Sequence, residues 1–174
     1  MKKAIVVLML VLSMAVLFAE TYVQTIVLMS VVEEVEPSFN LEINYVENGS
    51  GYITSKNEAS IFSQNAREDI EASFSINQSL SRYCGEVEIT VSVSELYWNG
   101  YNTNGLCIFG NVNEVEGRKG EVNVSENCVR FTLAYSGNTI DDSEAANFII
   151  RYKGDSTLPD ETYVSYIGMV IKVK

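Results

Sequence analysis

Four segments of this chain alternate apolar and polar residues with period two, and that pattern constrains the fold more than any other feature. Phe39, Leu41, Ile43 and Tyr45 alternate with Ser38, Asn40, Glu42 and Asn44. The same reading holds for Ile70, Ala72, Phe74 and Ile76, for Val87, Ile89, Val91 and Val93, and for Val129, Phe131, Leu133 and Tyr135. Successive side chains of a strand point to opposite faces, so each segment has one dry and one wet side. Strands of this kind build antiparallel sheets that pack face to face. Asn48-Gly49, Asn99-Gly100, Asn104-Gly105, Ser136-Gly137 and Lys153-Gly154 punctuate the segments. Such dipeptides suit the positive φ that tight hairpins require. The expectation is an all-β, immunoglobulin-like antiparallel β-sandwich of Greek-key type with eight to ten strands. Residues 57–65 and 141–147 are the only places where a turn or two of helix is expected.

The two ends read differently. Residues 22–32 and 163–173 are apolar on both faces over much of their length, as a central or doubly covered strand is. Ahead of the first lies a signal-peptide pattern: Lys2 and Lys3, then an apolar run over 4–18, then the small Ala19 before Glu20. Cleavage after Ala19 is expected, because the run is shorter than the roughly 20 residues of a membrane-spanning helix. The domain plan is therefore a signal peptide over 1–19, an apolar strand and link over 20–36, and a sandwich over 37–174. Export to the periplasm, the cell surface or a fimbrium follows, with no membrane span left after cleavage.

Charge and chemistry exclude several functions. Twelve Lys and Arg stand against 23 Asp and Glu, a net charge of −11 that becomes −13 once Lys2 and Lys3 are removed. Such a surface repels nucleic acid, and no basic cluster offsets it. The chain has no His, so Ser-His-Asp and Cys-His catalysis and imidazole zinc sites are ruled out. It has no phosphate-cradling glycine loop and nothing that calls for a cofactor. Acidic runs at Glu33, Glu34 and Glu36 and at Asp141, Asp142 and Glu144 read as solvated segments, the second with the weaker alternative of a calcium site. No enzyme activity is expected. Three Asn-x-Ser sequons, at Asn48, Asn77 and Asn123, matter only in a eukaryotic secretory pathway.

Three cysteines in an exported chain allow one disulfide. Cys107 and Cys128 flank a Gly- and charge-rich connection and are the favoured pair over Cys84 and Cys107, a bridge worth about 3 kcal/mol by loop closure. Tyr97, Trp98 and Tyr101 lie in an aromatic, amide-rich loop. Rings that stack on sugar faces beside amides that meet hydroxyls make this a candidate ligand loop. The simpler reading is a hairpin whose Trp98 caps the core.

Both chain ends carry a resemblance. The run Thr25-Ile26-Val27-Leu28-Met29-Ser30-Val31 precedes a Pro-containing link, and Pro159-Asp160-Glu161-Thr162-Tyr163 precedes the last strand. In these features the chain resembles bacterial fimbrial subunits of the chaperone–usher type. The resemblance implies a non-enzymatic structural subunit of a surface fibre, assembling by β-strand addition. It implies a donor strand with Val23, Thr25, Val27, Met29 and Val31 on one face, Tyr22, Gln24, Ile26, Leu28 and Ser30 being the other. It also implies an acceptor edge at Tyr163, Ile167, Met169, Ile171 and Val173. Its partners would be a second or related subunit and a periplasmic chaperone. The alternatives are a secreted carbohydrate-binding or adhesin module, and a monomeric β-sandwich with the first strand paired in its own chain.

Overall fold

The computed structural model describes residues 37–81, 83–112, 120–125, 127–137 and 139–174. The signal peptide, the candidate donor strand and the Glu33–Glu36 run lie outside these residues. Twelve strands follow one another: β1 (Ser38–Val46), β2 (Gly49–Ser55), β3 (Glu58–Ser63), β4 (Ile70–Ser81), β5 (Cys84–Val93) and β6 (Tyr97–Trp98). Then come β7 (Tyr101–Asn102), β8 (Asn104–Val112), β9 (Gly120–Ser125), β10 (Cys128–Ser136), β11 (Thr139–Lys153) and β12 (Tyr163–Val173). One sheet has the order β1-β4-β11-β8. The other has the order β2-β3-β12-β5-β10-β9, with the short hairpin β6–β7 attached to β12. All pairings are antiparallel, and the chain passes repeatedly from one sheet to the other. The fold is an all-β antiparallel sandwich, and among the described residues no helix is long and apolar enough to cross a membrane.

The alternating segments supply its core. Phe74 and Phe148 from one sheet and Phe131 from the other are each 1 % exposed, and Phe131 and Phe148 meet at 5.9 Å between ring centres. Val87, Ile89, Val91 and Val93 all point inward and are buried. The alternation in β1 stops early. A bulge between Ile43 and Tyr45 shifts the register, so Phe39 and Leu41 are buried and Tyr45 is turned out to solvent. The buried Gln78 is paired on both sides: it accepts from the Tyr135 hydroxyl at 2.6 Å and donates to Ser143 Oγ at 2.9 Å.

Both segments expected to hold helical turns are instead mainly strand, the first over Glu58–Ser63 and the second throughout. In β3 the residues Ala59, Ile61 and Ser63 face the core, and the intervening residues pair outward-facing positions of β2 and β12. Residues 141–147 lie within β11, where bulges between Ile140 and Ser143 and between Glu144 and Ala146 break the alternation. Ala145 and Ala146 are consequently buried in succession, which hides the strand from a period-two reading. Cys84, Cys107 and Cys128 are free thiols. Cys107 on β8 and Cys128 on β10 stand in opposite sheets and adjoin the inward-facing Ile108 and Val129, so their thiols point to opposite outer faces and the bridge expected between them is not formed.

The last strand also departs from expectation. An acceptor edge is expected there, yet β12 is central: residues Tyr163–Gly168 pair with β3 and Ile167–Val173 with β5. Tyr163, Ile167 and Met169 point into the core and are 0–4 % exposed. Only beyond Met169, whose N–H donates to Asn57 O at 2.8 Å, does no described strand pair the β3-side edge. By the alternation of backbone groups along a strand, Ile171 and Val173 present N–H and C=O to that edge. Val173 is 54 % exposed although its position in the alternation faces inward.

Candidate ligand-binding cleft

A concavity of about 780 Å³ opens where the end of β5, the β6–β7 hairpin, β8 and β12 converge. Ser94, Glu95, Tyr97, Asn102, Asn127 and Tyr166 supply its rings and polar groups. Local geometry fixes each of them. The β6–β7 turn has Asn99 at φ 42° and Gly100 at φ 90°, the paired positive values of a tight hairpin, so Tyr97 stands opposite Asn102. Thr103 N–H donates to Leu96 O at 3.0 Å and closes the loop behind them. Ser94 N–H donates to Tyr166 O at 2.9 Å, and Tyr166 N–H donates to Ser94 Oγ at 2.9 Å, which holds Tyr166 against the end of β5. Val93 N–H donates to Asn127 O at 2.9 Å and positions that residue at the rim.

The polar pair at the cleft is preset as well. Asn102 Nδ2 donates to Glu95 Oε2, which leaves the amide oxygen, one N–H and the second carboxylate oxygen available. Tyr97 is 55 % and Tyr166 62 % exposed, large values for rings held on ordered strands. Beneath them the Tyr152 hydroxyl and Ser165 Oγ lie 2.6 Å apart, and Ser165 Oγ donates to Ser94 O at 2.7 Å. Burial pushes the Tyr152 phenol far above its ordinary value, with the Ser165 hydrogen bond acting in the opposite direction.

The structure divides the aromatic trio read from the sequence. Tyr97 lines the cleft. Trp98 and Tyr101, its neighbours in the hairpin, face the other side, stacked on each other at 5.8 Å. Trp98 also packs 6.2 Å from the buried Tyr163 and joins the core margin, so the capping role describes it correctly. Tyr166, Glu95 and Asn127 escaped the sequence reading, because only strand pairing brings residues 95, 97, 127 and 166 together. The readable hint was the apolar character of 163–173 on both faces.

Of the acidic candidates, Glu144 lies on β11, while the side chains of Asp141 and Asp142 are outside the described set. Among the described residues no group of three His, Cys, Asp or Glu side chains is arranged to hold a metal ion.

No protein-family model and no curated protein matches the chain. Several solved structures are similar to it. A non-cellulosomal cohesin from Archaeoglobus fulgidus is 15 % identical over 62 % of this chain and 69 % of its own, with a TM-score of 0.33. The sixth cohesin of scaffoldin B from Acetivibrio cellulolyticus is 14 % identical over 70 % and 74 %, with a TM-score of 0.38. The adhesin domain of Epf from Streptococcus pyogenes is 6 % identical over 68 % and 44 %, with a TM-score of 0.39. Values this low say nothing about ligand or partner.

Proposed function

We propose that this domain is an exported, non-enzymatic binding module that holds a glycan in the cleft between Tyr97 and Tyr166. One observation carries the reading: two ordered, exposed phenol rings flank a concavity equipped with a preset carboxylate–amide pair, Glu95 and Asn102. Sugar rings offer apolar C–H faces to aromatic side chains and hydroxyls to carboxylates and amides, which is the combination present. The strongly acidic composition disfavours polyanionic ligands, so the glycan is neutral. Glu95 is the single acid among the described lining residues, and hydrolysis of a glycosidic bond ordinarily uses a pair. That supports binding over turnover.

A glycan array probed with the mature protein, with Tyr97→Ala and with Trp98→Ala tests the reading. Binding by the wild type that Tyr97→Ala abolishes and Trp98→Ala weakens less is expected. Silence on every glycan would sink the proposal.

A second reading has its own observation. The edge of β12 beyond Met169, which no described strand pairs, with the inward-facing Val173 left exposed, offers a short acceptor for an added strand. Residues 22–32 have the apolar character such a strand needs. In that reading the protein is a fibre subunit that receives this segment from a neighbour, with Val23, Thr25, Val27, Met29 and Val31 as one face of the donor. Electron microscopy of the mature protein, intact and lacking 20–32, decides it. Fibres from the intact form and soluble folded monomers from the truncated form are expected. Unfolding of the truncated form even with the peptide supplied would instead place the strand within its own chain.

A further inference from the structure

The cleft is one end of a longer feature on the outer face of the six-strand path. Register places Tyr52 opposite Ser60, and Ser60 opposite Tyr166, so these three residues form one row across β2, β3 and β12. The adjacent row runs Ser50, Phe62, Val164 and Tyr97 across β2, β3, β12 and β6. Directly opposed residues in antiparallel strands share a face, so all of these side chains lie on the same outer surface. Tyr52 is 54 % exposed and stacks on Phe62 at 5.2 Å with the rings only 16° apart. The rows hold no charged side chain. Beside the second row, where Asn48, Gln64 and Thr162 continue the line of β2, β3 and β12, lies a second concavity, of about 390 Å³, whose lining also includes Ser50 and Phe62.

Two amide- and hydroxyl-bearing hollows are thus joined by an uncharged aromatic path. From β2 to β6 the path crosses three interstrand spacings, or ~14 Å. That is longer than one sugar ring. A ligand recognised only at its tip would need the cleft alone and would leave Tyr52 and Phe62 facing water. A neutral chain of linked sugars would stack on Tyr97, Tyr166 and Tyr52 in turn and place hydroxyls at both polar ends.

We propose that the outer surface from Asn48 to Tyr97 is an extended binding groove for a neutral polysaccharide chain, with the cleft and the Asn48–Gln64 hollow as its two end subsites. The proposal rests on the glycan reading of the cleft and adds to it the length of the ligand and a second subsite.

The test uses the mature protein and soluble glucan, xylan and mannan polymers in affinity electrophoresis. The retarding polymer's own oligosaccharides, from the monosaccharide to the hexasaccharide, are then titrated by calorimetry. The groove predicts affinity that climbs with chain length beyond the disaccharide. It predicts that Tyr52→Ala lowers hexasaccharide affinity about fivefold or more and leaves the disaccharide unchanged, whereas Tyr97→Ala weakens both. Equal affinity for disaccharide and hexasaccharide, with Tyr52→Ala silent, would overturn the groove and leave the cleft standing. No retardation by any of the polymers, with no binding of their oligosaccharides, would overturn both. Tyr52 is an exposed ring on an edge strand, so its variant keeps the fold, and an unchanged urea midpoint checks this.

Discussion

The outer faces of the two sheets differ in how much of their aromatic surface is left uncovered. On the four-stranded sheet, polar side chains satisfy one another. Asn77 Nδ2 donates to Glu42 Oε2 at 2.6 Å, Ser75 Oγ to Asn44 Oδ1 at 3.3 Å, and Arg151 Nε to Glu71 Oε2 at 2.8 Å. Of its two exposed rings, Tyr45 and Phe109, the second carries the Arg151 guanidinium 4.8 Å above it. On the other sheet, Tyr52, Tyr97 and Tyr166 are all more than half exposed, and their rings have no cation over them among the described residues. A face whose groups are mutually satisfied gains little from a ligand. A face of ordered, partly unsatisfied aromatic surface gains by covering it. The difference is the reason for placing function on the six-strand path.

Substitutions in both sheets can break that comparison, and they rank by the stability change expected. Phe131→Ala removes a ring that joins the two sheets at Phe148 and should cost about 3–5 kcal/mol in urea unfolding. Tyr152→Phe deletes a buried hydroxyl bonded to Ser165 and should cost about 1 kcal/mol near neutral pH. It also carries a pH signature. The folded phenol holds its proton above the pH at which the unfolded chain loses it, so the Tyr152 contribution is intact below about pH 10 and declines above it. The wild type should therefore lose stability steeply with rising pH in that range, and Tyr152→Phe should flatten the decline.

Arg151→Ala breaks an exposed ion pair on the self-satisfied face and should cost about 0.2–1 kcal/mol, less at high salt. Tyr166→Ala, on the aromatic face, should change stability by no more than about 0.5 kcal/mol. A cost there comparable to Phe131→Ala would mean that the aromatic row belongs to the folding core, and the contrast between the two faces would fail.

Much of the sandwich was legible because alternation and hairpin dipeptides are local signals. Three of the four alternating segments bury all the apolar residues named, and the fourth fails around its bulge, where Ile43 is only partly buried and Tyr45 is ejected. Bulges also explain the misread part of β11, since two register shifts bury Ala145 and Ala146 together. The centrality of β12 was half visible in its apolar character. Which strands flank it, and how far, depends on long-range pairing. The candidate site was less legible for the same reason. Tyr97 was found from its loop. Tyr52, Phe62 and Tyr166 become neighbours only through the register of β2, β3 and β12, and nothing local in the sequence distinguishes a tyrosine on that row from Tyr45 on a bulge.

The most direct test of the account pairs binding with stability for one residue on the aromatic face. Tyr166→Ala and wild type are run side by side in affinity electrophoresis against neutral polysaccharides and in urea unfolding. The account predicts retardation of the wild type, loss of that retardation in the variant, and coincident unfolding midpoints. Equal retardation of both proteins, or a wild type that no neutral polysaccharide retards, would contradict it.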